Sequence, residues 1–260
     1  MGTKKKNHLI LWKGITLFLG SNPKPISEHK HPILQLIIGA NEPFLSKSDS
    51  GDWVEKNALL IAANQSHECD AQGKLIFTLG IEQESTLGEW IKHKYLQSNT
   101  SVDFPKSELD FFDLDKVERL VEKESWNELY AYIEMLFAFE LGVINSSKQD
   151  ERIMRVKNHI STHIDSKIDT KSLMEVAHLS ESRLLHLFKH EMGLPIRNYI
   201  LWHRLQTAVK SILTGSSLTV AAHQSGFSDQ AHMTRTCVKT IGIAPSLITQ
   251  NSKFIQASFP

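Results

Sequence analysis

Cysteine is scarce in this 260-residue sequence, where Cys69 and Cys237 lie far apart and form no CxxC pair. A disulfide framework and a zinc knuckle are therefore excluded, and the scarcity fits a reducing cytoplasm. Long apolar runs are also missing, because Lys13 splits the most apolar part of the N-terminus and no small-residue cleavage site follows. We therefore expect neither a signal peptide nor contact with a membrane. No Walker-type loop, nucleophile motif or acid/base pair is present, so no catalytic residue is assigned.

Net charge is absent overall but not locally. Residues 1–149 carry 16 Lys and Arg against 21 Asp and Glu, whereas residues 150–260 carry 13 against 8. A basic C-terminal half is suited to phosphate contacts, although many domains with no such role are as basic. The chain length and the 41% of hydrophobic residues predict a globular protein with two domains.

The N-terminal half is patterned as strands followed by helices. Short apolar runs separated by turn residues, between about residues 8 and 82, predict six to eight strands that close into a small antiparallel barrel or sandwich. Apolar residues spaced by three and four predict a helix from Trp126 to Leu141, which ends before Gly142. The apolar face of this helix fits either core packing or the seam of a homodimer.

The C-terminal half is patterned almost wholly as helices, with six or seven predicted between residues 152 and 260. A long helix from Pro195 to about Leu213 joins two groups of shorter ones. The predicted fold class is therefore α+β with two domains. The strand-rich domain spans 1–144, a polar linker spans 145–151, and the helical domain spans 152–260.

The helical half contains an internal repeat, because HLSESRLLHLFKHEMGLP at 178–195 resembles GFSDQAHMTRTCVKTIGIAP at 226–245. Ser180 matches Ser228 at an offset of 48, and Gly193 matches Gly242 at an offset of 49. Each unit has a short helix, a tight turn and a second helix that begins at a Ser-acid cap, which is the pattern of a helix-turn-helix. One such hairpin alone is more often a packing element. Two of them on a stiff helix can present recognition helices to major grooves about 34 Å apart.

The second helix of each unit has an inward and an outward face. We expect Met233, Val220 and Phe227, together with Cys237, to face the interior of the second unit. The outward positions are then Gln230, Ala231, Thr234 and Arg235 in the second unit, and Ser182, Leu185 and His186 in the first. Arg pairs with guanine, Gln pairs with adenine, and an exposed leucine can meet a thymine methyl group. Arg183, Lys189 and Lys239 are candidates for phosphate contacts, although each is as readily a solvated surface charge.

Residues 150–250 resemble the AraC/XylS family of bacterial transcription regulators. The resemblance is carried by the run Gly226–Gln230, by Thr234 and Arg235, and by Arg204 and Leu205 in the linking helix. It implies two helix-turn-helix units that bind double-stranded promoter DNA. It also implies a cupin-like N-terminal domain for binding a small-molecule effector, for dimerisation, or for both. RNA polymerase would be a further partner if the protein activates transcription.

The sequence departs from the family pattern at Cys237 and Val238, where the family usually has Phe-Lys. The second recognition helix thereby loses an aromatic side chain and a candidate phosphate contact. The departure bears on the strength of DNA binding more than on the fold.

The stretch SEHKHPILQLIIG contains the N-terminal side chains best suited to bind a ligand. His29 and His31 lie two apart on a predicted strand and therefore share a face with Gln35, and His67 follows later. We expect these four residues to line an effector pocket. A metal ion is an alternative, because cupins use His-x-His with a later His, but Gln35 stands where they have a carboxylate. Histidines that are only partly exposed at a strand end are the third reading. No metal and no cofactor are assigned.

Two other classes of function remain open from the residues. A cupin-type metal enzyme with a helical accessory domain would use the histidines. A helical protein-interaction module would explain the repeat and leave the outward Arg, Gln and Thr side chains incidental. DNA binding that weakens steeply with salt and retains sequence preference would separate a cytoplasmic regulator from both.

Overall fold

A computed structural model describes residues 7–12, 14–48, 51–138, 150–251 and 255–258. These residues form two compact units. The first contains strands and four α-helices. The second contains the α-helices that follow residue 150, together with residues 29–32. The predicted α+β architecture with two domains is confirmed.

The strands form two sheets. Their bounds are β1 (Asn7–Trp12), β2 (Ile15–Ser21), β3 (Ile26–His29), β4 (Ile33–Gly39), β5 (Phe44–Ser48), β6 (Val54–Lys56), β7 (Ala58–Ile61), β8 (His67–Asp70), β9 (Leu75–Glu82), β10 (Ser101–Asp103) and β11 (Ile255–Ser258). The larger sheet has the order β10-β7-β4-β9-β2-β1-β11, and the smaller has the order β3-β8-β5-β6. Nine strands are described up to Glu82, which is more than the six to eight expected.

Alternation along the strands explains how the larger sheet forms its core. In β2, Ile15, Leu17 and Leu19 are buried on one face, as a period of two requires. Central strands β4 and β9 pair antiparallel, and Leu36 and Leu79 face each other across them with no exposed surface. The resulting apolar cluster also takes in side chains from the helices that follow.

The helices of the first unit are α1 (Thr86–Ile91), α2 (Lys106–Leu109), α3 (Leu114–Glu122) and α4 (Trp126–Leu136), with a π-helical turn at Lys92–Leu96. The predicted extension of α4 to Leu141 is wrong, because the helix ends at Leu136. The Phe137 carbonyl accepts hydrogen bonds from Trp90 Nε1 at 3.1 Å and Tyr95 Oη at 2.7 Å. Ala138 then takes a left-handed φ of 44°. Residues 139–141 lie outside the described residues.

The apolar face of α4 packs into the core of its own unit. Leu129, Ile133 and Leu136 are buried there with the strand residues. Core packing, the first of the two alternatives for this face, therefore describes these three side chains.

The helices of the second unit are α5 (Glu151–Thr162), α6 (Thr170–Ala177), α7 (Glu181–Met192), α8 (Ile196–Leu213), α9 (Leu218–Gln224), α10 (Gln230–Ile241) and α11 (Pro245–Asn251). Helix α5 begins at Glu151, inside the predicted linker at 145–151, whose residues 145–149 lie outside the described residues. The C-terminal strand β11 pairs in parallel with β1 and so belongs to the first unit, although its residues were expected in the helical domain.

Aspartate caps fix where three of these helices start. The carboxylates of Asp150, Asp169 and Asp229 accept hydrogen bonds from backbone N–H groups of the first turn at 2.9, 2.8 and 2.6 Å. Hydrogen bonds from the Arg152 side chain and from backbone N–H groups of the first turn of α5 lower the pKa of Asp150 to about 2. The caps define the first residue of α10 in particular, and so the side chains that its first turn presents.

Candidate nucleic-acid interface

Helices α7 and α10 are structural equivalents. Each has 12 residues, and each ends at a left-handed glycine, Gly193 with φ 69° and Gly242 with φ 79°. Their N-caps are Ser180 and Asp229, so the offset is 49 at both ends. The predicted match of Ser180 with Ser228 is therefore wrong. Ser228 instead donates a hydrogen bond from Oγ to the Asp229 carboxylate at 3.0 Å.

The inward faces of both helices are sealed. Leu184 and Phe188 of α7, and Met233 and Cys237 of α10, have no exposed surface. Such side chains hold each helix by one stripe and leave the opposite stripe free to meet a partner.

The turn before α10 is built from buried and left-handed residues. Phe227 is buried as expected, and the Ser225 hydroxyl donates to the Ala221 carbonyl at 2.7 Å. The expected inward position of Val220 is wrong, because that side chain is 44% exposed. Ala221 and Ala222 form the buried face of α9, so Val220 lies on the other side of this short helix.

The outward faces agree with the sequence at nearly every candidate position. Nine of the ten candidate DNA-binding side chains are exposed, namely Ser182, Arg183, Leu185, His186, Lys189, Gln230, Ala231, Arg235 and Lys239. Thr234 is half-buried. Gln230 Oε1 accepts a hydrogen bond from Thr219 Oγ1 at 3.0 Å, so its amide is oriented by α9. Both helices thus present a mixture of hydrogen-bonding, basic and apolar groups, which is what base edges and phosphates require.

The connecting helix α8 joins the two helix-turn-helix repeats. It has 18 residues, which corresponds to a length of about 27 Å. Tyr199 and Leu205 are among its buried residues, and Ala208 follows one turn later on the same stripe. A continuous buried stripe makes this helix a rigid spacer between α7 and α10.

The predicted pocket residues are partly brought together. Strands β3 and β8 are neighbours in the smaller sheet, and ring nitrogens of His29, His31 and His67 lie within 4.8 Å of one another. The three histidines are only 5%, 5% and 2% exposed, so the reading of partly exposed histidines is wrong. The prediction that His29 and His31 share one strand face with Gln35 is wrong, because β3 ends at His29 and Gln35 lies in β4 of the larger sheet. Gln35 is paired there with Ile61 and Gly80 and is half-buried.

The hydrogen-bond partner of the His67 side chain was not found from the sequence. His67 Nδ1 lies 3.0 Å from the Gln65 carbonyl oxygen, which can only accept a hydrogen bond. Nδ1 therefore carries a proton, and in the neutral ring Nε2 keeps the lone pair. Three imidazole nitrogens in such an arrangement can bind a hydrogen-bond donor, an anion when protonated, or a transition metal.

The helical region is similar to known proteins. Residues 173–251 match a family described as a helix-turn-helix domain. The arabinose operon regulatory protein of Salmonella typhimurium strain LT2 is 32% identical over 129 residues, which are 46% of this chain and 46% of the relative. Its counterpart in Escherichia coli strain K12 is 31% identical over 46% of this chain and 44% of that protein. The match thus spans less than half the length of these curated relatives.

The fold of the whole chain has solved counterparts. A crystal structure of a ToxT variant from Vibrio cholerae has a TM-score of 0.56 at 11% identity and covers 94% of this chain and 98% of its own. A second ToxT structure has a TM-score of 0.55 at 12% identity, with 92% and 99% covered. These likenesses show the fold alone.

Residues 173–251 are therefore similar to a helix-turn-helix domain. The resemblance of this region to the AraC/XylS family is confirmed. These curated relatives are named as regulatory proteins. Within the described part of the chain, no helix combines the length and apolar character needed to cross a membrane.

Proposed function

We propose that this chain is a sequence-specific DNA-binding transcription regulator that reads two adjacent major-groove segments of promoter DNA. One observation carries the proposal. Helices α7 and α10 are equivalent in length, caps and buried stripe, and both expose the opposite stripe. A stiff helix of about 27 Å joins them, which is of the order of one helical turn of DNA.

The exposed residues divide into two roles in this proposal. Seven side chains of α7 and α10 meet base edges, namely Ser182, Leu185, His186, Gln230, Ala231, Thr234 and Arg235. Arg183, Lys189 and Lys239 meet phosphates, as their exposure and charge suit. Gln230 would exchange its bond to Thr219 for one to a base.

The proposed partners follow from this role. They are promoter DNA, RNA polymerase where the protein activates, and a second copy of the chain if the first unit dimerises. The proposed location is the cytoplasm, where the DNA of a bacterium is reached directly.

A selection experiment tests DNA binding. Full-length protein is incubated with a pool of random 40-base-pair duplexes, and bound DNA is recovered over several rounds and sequenced. We expect two short boxes about one helical turn apart. Gel-shift titration of the recovered site should show affinity that falls steeply with salt, with preference over scrambled DNA retained. Equal affinity for recovered and scrambled duplexes would contradict the proposal.

We also propose that His29, His31, His67 and Gln35, all from the strand-rich half of the sequence, bind a small effector. Support comes from the burial of the three rings and from their mutual proximity, since one nitrogen of each lies within 4.8 Å of the other two. In a promoter–reporter strain, replacing all three by alanine should abolish the response to growth conditions that induce the wild type. An unchanged response would defeat this role. Metal analysis of protein purified without a His tag distinguishes a bound metal from an organic effector.

A further inference from the structure

Arg204, in the middle of α8, bonds a segment of the first helix-turn-helix half. Its Nε donates to the Ile164 carbonyl at 3.2 Å, and its terminal nitrogen Nη2 donates to the Ser166 carbonyl at 2.7 Å. Both acceptors lie in the turn between α5 and α6. The Ile164 side chain packs against the core of that same half, so this turn is anchored there.

The same guanidinium also lies against the turn of the second half. Gly226 has a φ of 74°, and a Cβ added to it would lie 2.8 Å from Arg204 Nε and would clash with the Ile164 carbonyl oxygen. The turn residue of the second helix-turn-helix is therefore in direct contact with both members of the Arg204–Ile164 bond. Only glycine leaves room for this approach and adopts this φ without strain.

We propose that Arg204 is a positioning residue that fixes the orientation of the second helix-turn-helix half relative to the first. This inference rests on the proposed function and deepens it, because the orientation sets the spacing of the two DNA boxes that one molecule can read. A helix alone fixes the distance between two attached elements but leaves them free to tilt and rotate. The contact among Ile164, Arg204 and Gly226 adds a second connection beside the helix and removes that freedom.

The chemistry of the residue matters to the role. A guanidinium is planar and can donate to two carbonyl oxygens at once, whereas a lysine ammonium is a single point charge on a flexible stem. Arg204→Lys therefore keeps the charge and loses the paired bonds. Arg155→Lys is a matched control, because Arg155 Nε also donates to a carbonyl, that of Val176 at 3.2 Å, but both partners lie within the first half.

The first test needs no DNA. Spin labels are attached to cysteines introduced by His190→Cys at the end of α7 and Val238→Cys on α10, both at exposed positions. Pulsed electron resonance then gives the distribution of distances between the labels in the full chain. We expect one narrow distribution for the wild type and the Arg155→Lys variant, and a clearly broader one for Arg204→Lys. A broad distribution in the wild type, or a narrow one in Arg204→Lys, would overturn the inference.

The second test uses the recovered DNA site and duplexes in which the gap between its boxes is lengthened or shortened by one and two base pairs. The wild type and Arg155→Lys should prefer one gap. Arg204→Lys should bind the duplex with the preferred gap about tenfold more weakly than the wild type does, as the loss of charged hydrogen bonds implies. It should bind the duplexes with altered gaps as well as the wild type does. Affinity for a duplex with a single box should not change, which a general loss of folded protein would not reproduce.

Failures of the two proposals are distinguishable. If the wild type recovers no DNA sequence, the proposed function fails while the label distances still decide the role of Arg204. If Arg204→Lys does not fold, as seen by circular dichroism, the milder Arg204→Gln replaces it, and a wild type without a preferred gap overturns the inference in either case.

Discussion

Cys237 occupies in α10 the position that Phe188 occupies in α7, eight residues after the N-cap, and neither side chain has exposed surface. The second half thus holds a smaller group where the first holds a ring. Its aromatic side chain comes from the turn instead, where Phe227 is buried and the equivalent His178 of the first half is exposed. The two halves share a backbone but fill their cores from different positions.

Burial should make the Cys237 thiol inert in the folded protein. It raises the pKa of this thiol to about 12, so the reactive thiolate is nearly absent at pH 8. We expect iodoacetamide at pH 8 to modify Cys237 only after unfolding in denaturant, as followed by mass spectrometry. Val238→Cys, whose position is exposed, should be modified rapidly and serves as the control. Modification of Cys237 at a comparable rate in the native protein would show that α10 is not packed as described.

The buried and exposed positions of α7 should respond oppositely to truncation. Phe188→Ala removes a ring from a fully buried site and should lower the free energy of unfolding by about 3–5 kcal/mol. Leu185→Ala, at a position 43% exposed, should change it by less than about 0.5 kcal/mol. Urea unfolding followed by circular dichroism measures both. Equal effects of the two substitutions would mean that the inward and outward faces of α7 are misassigned.

Arg235 and His186 are equivalent positions on the two recognition helices, and both are exposed. We expect Arg235→Ala and His186→Ala each to weaken binding to the recovered site at least about tenfold, since a good base contact contributes roughly 1–3 kcal/mol of discrimination. Thermal unfolding should be nearly unchanged. Arg119→Ala on α3 removes an exposed arginine of the other unit and should bind as the wild type does. Gel-shift titrations that find all four proteins alike would remove both residues from the interface.

Local periodicity was sufficient to predict which faces of α7 and α10 are buried, because a helix repeats every 3.6 residues and its apolar stripe is visible in the sequence. For Val220 the same periodicity argument predicted the wrong face. Helix α9 is only seven residues long, and two buried alanines outweigh one larger exposed side chain. Apolar residues are common on surfaces, so size alone does not indicate the buried face.

Contacts between residues distant in sequence could not be predicted in the same way. Arg204 bonds carbonyl groups some 40 positions earlier, and any residue type can supply a carbonyl. The end of α4 likewise depends on side chains distant in sequence. Trp90 and Tyr95 lie outside this helix and donate hydrogen bonds to the carbonyl of its C-cap residue, Phe137. The histidine cluster was predicted as a set from the His-x-His spacing in the sequence, although β3 ends at His29 and His31 lies beyond it.

His203 should make the stability of the helical unit depend on pH. Burial, with a smaller contribution from the charge of Lys157, lowers the pKa of this imidazole to about 4, against 6.5 for an ordinary histidine. Between these values the unfolded chain binds a proton that the folded chain does not. The stabilisation is therefore fully present above about pH 6.5 and is lost as the pH falls towards 4.

The substitution His203→Gln removes the titrating group and should flatten this dependence. Urea unfolding at pH 7.5, 6.5, 5.5 and 4.5 gives the free energy of unfolding of both proteins. We expect the free energy of unfolding of the wild type to fall relative to that of the variant as the pH falls. Only the wild type has an imidazole at position 203 that takes up a proton on unfolding in that range. Other titrating groups are common to both proteins and cancel in the difference. Curves that stay parallel from pH 7.5 to 4.5 would show that His203 is accessible to protons in the folded state and that the packing of α8 around it is looser than its burial implies.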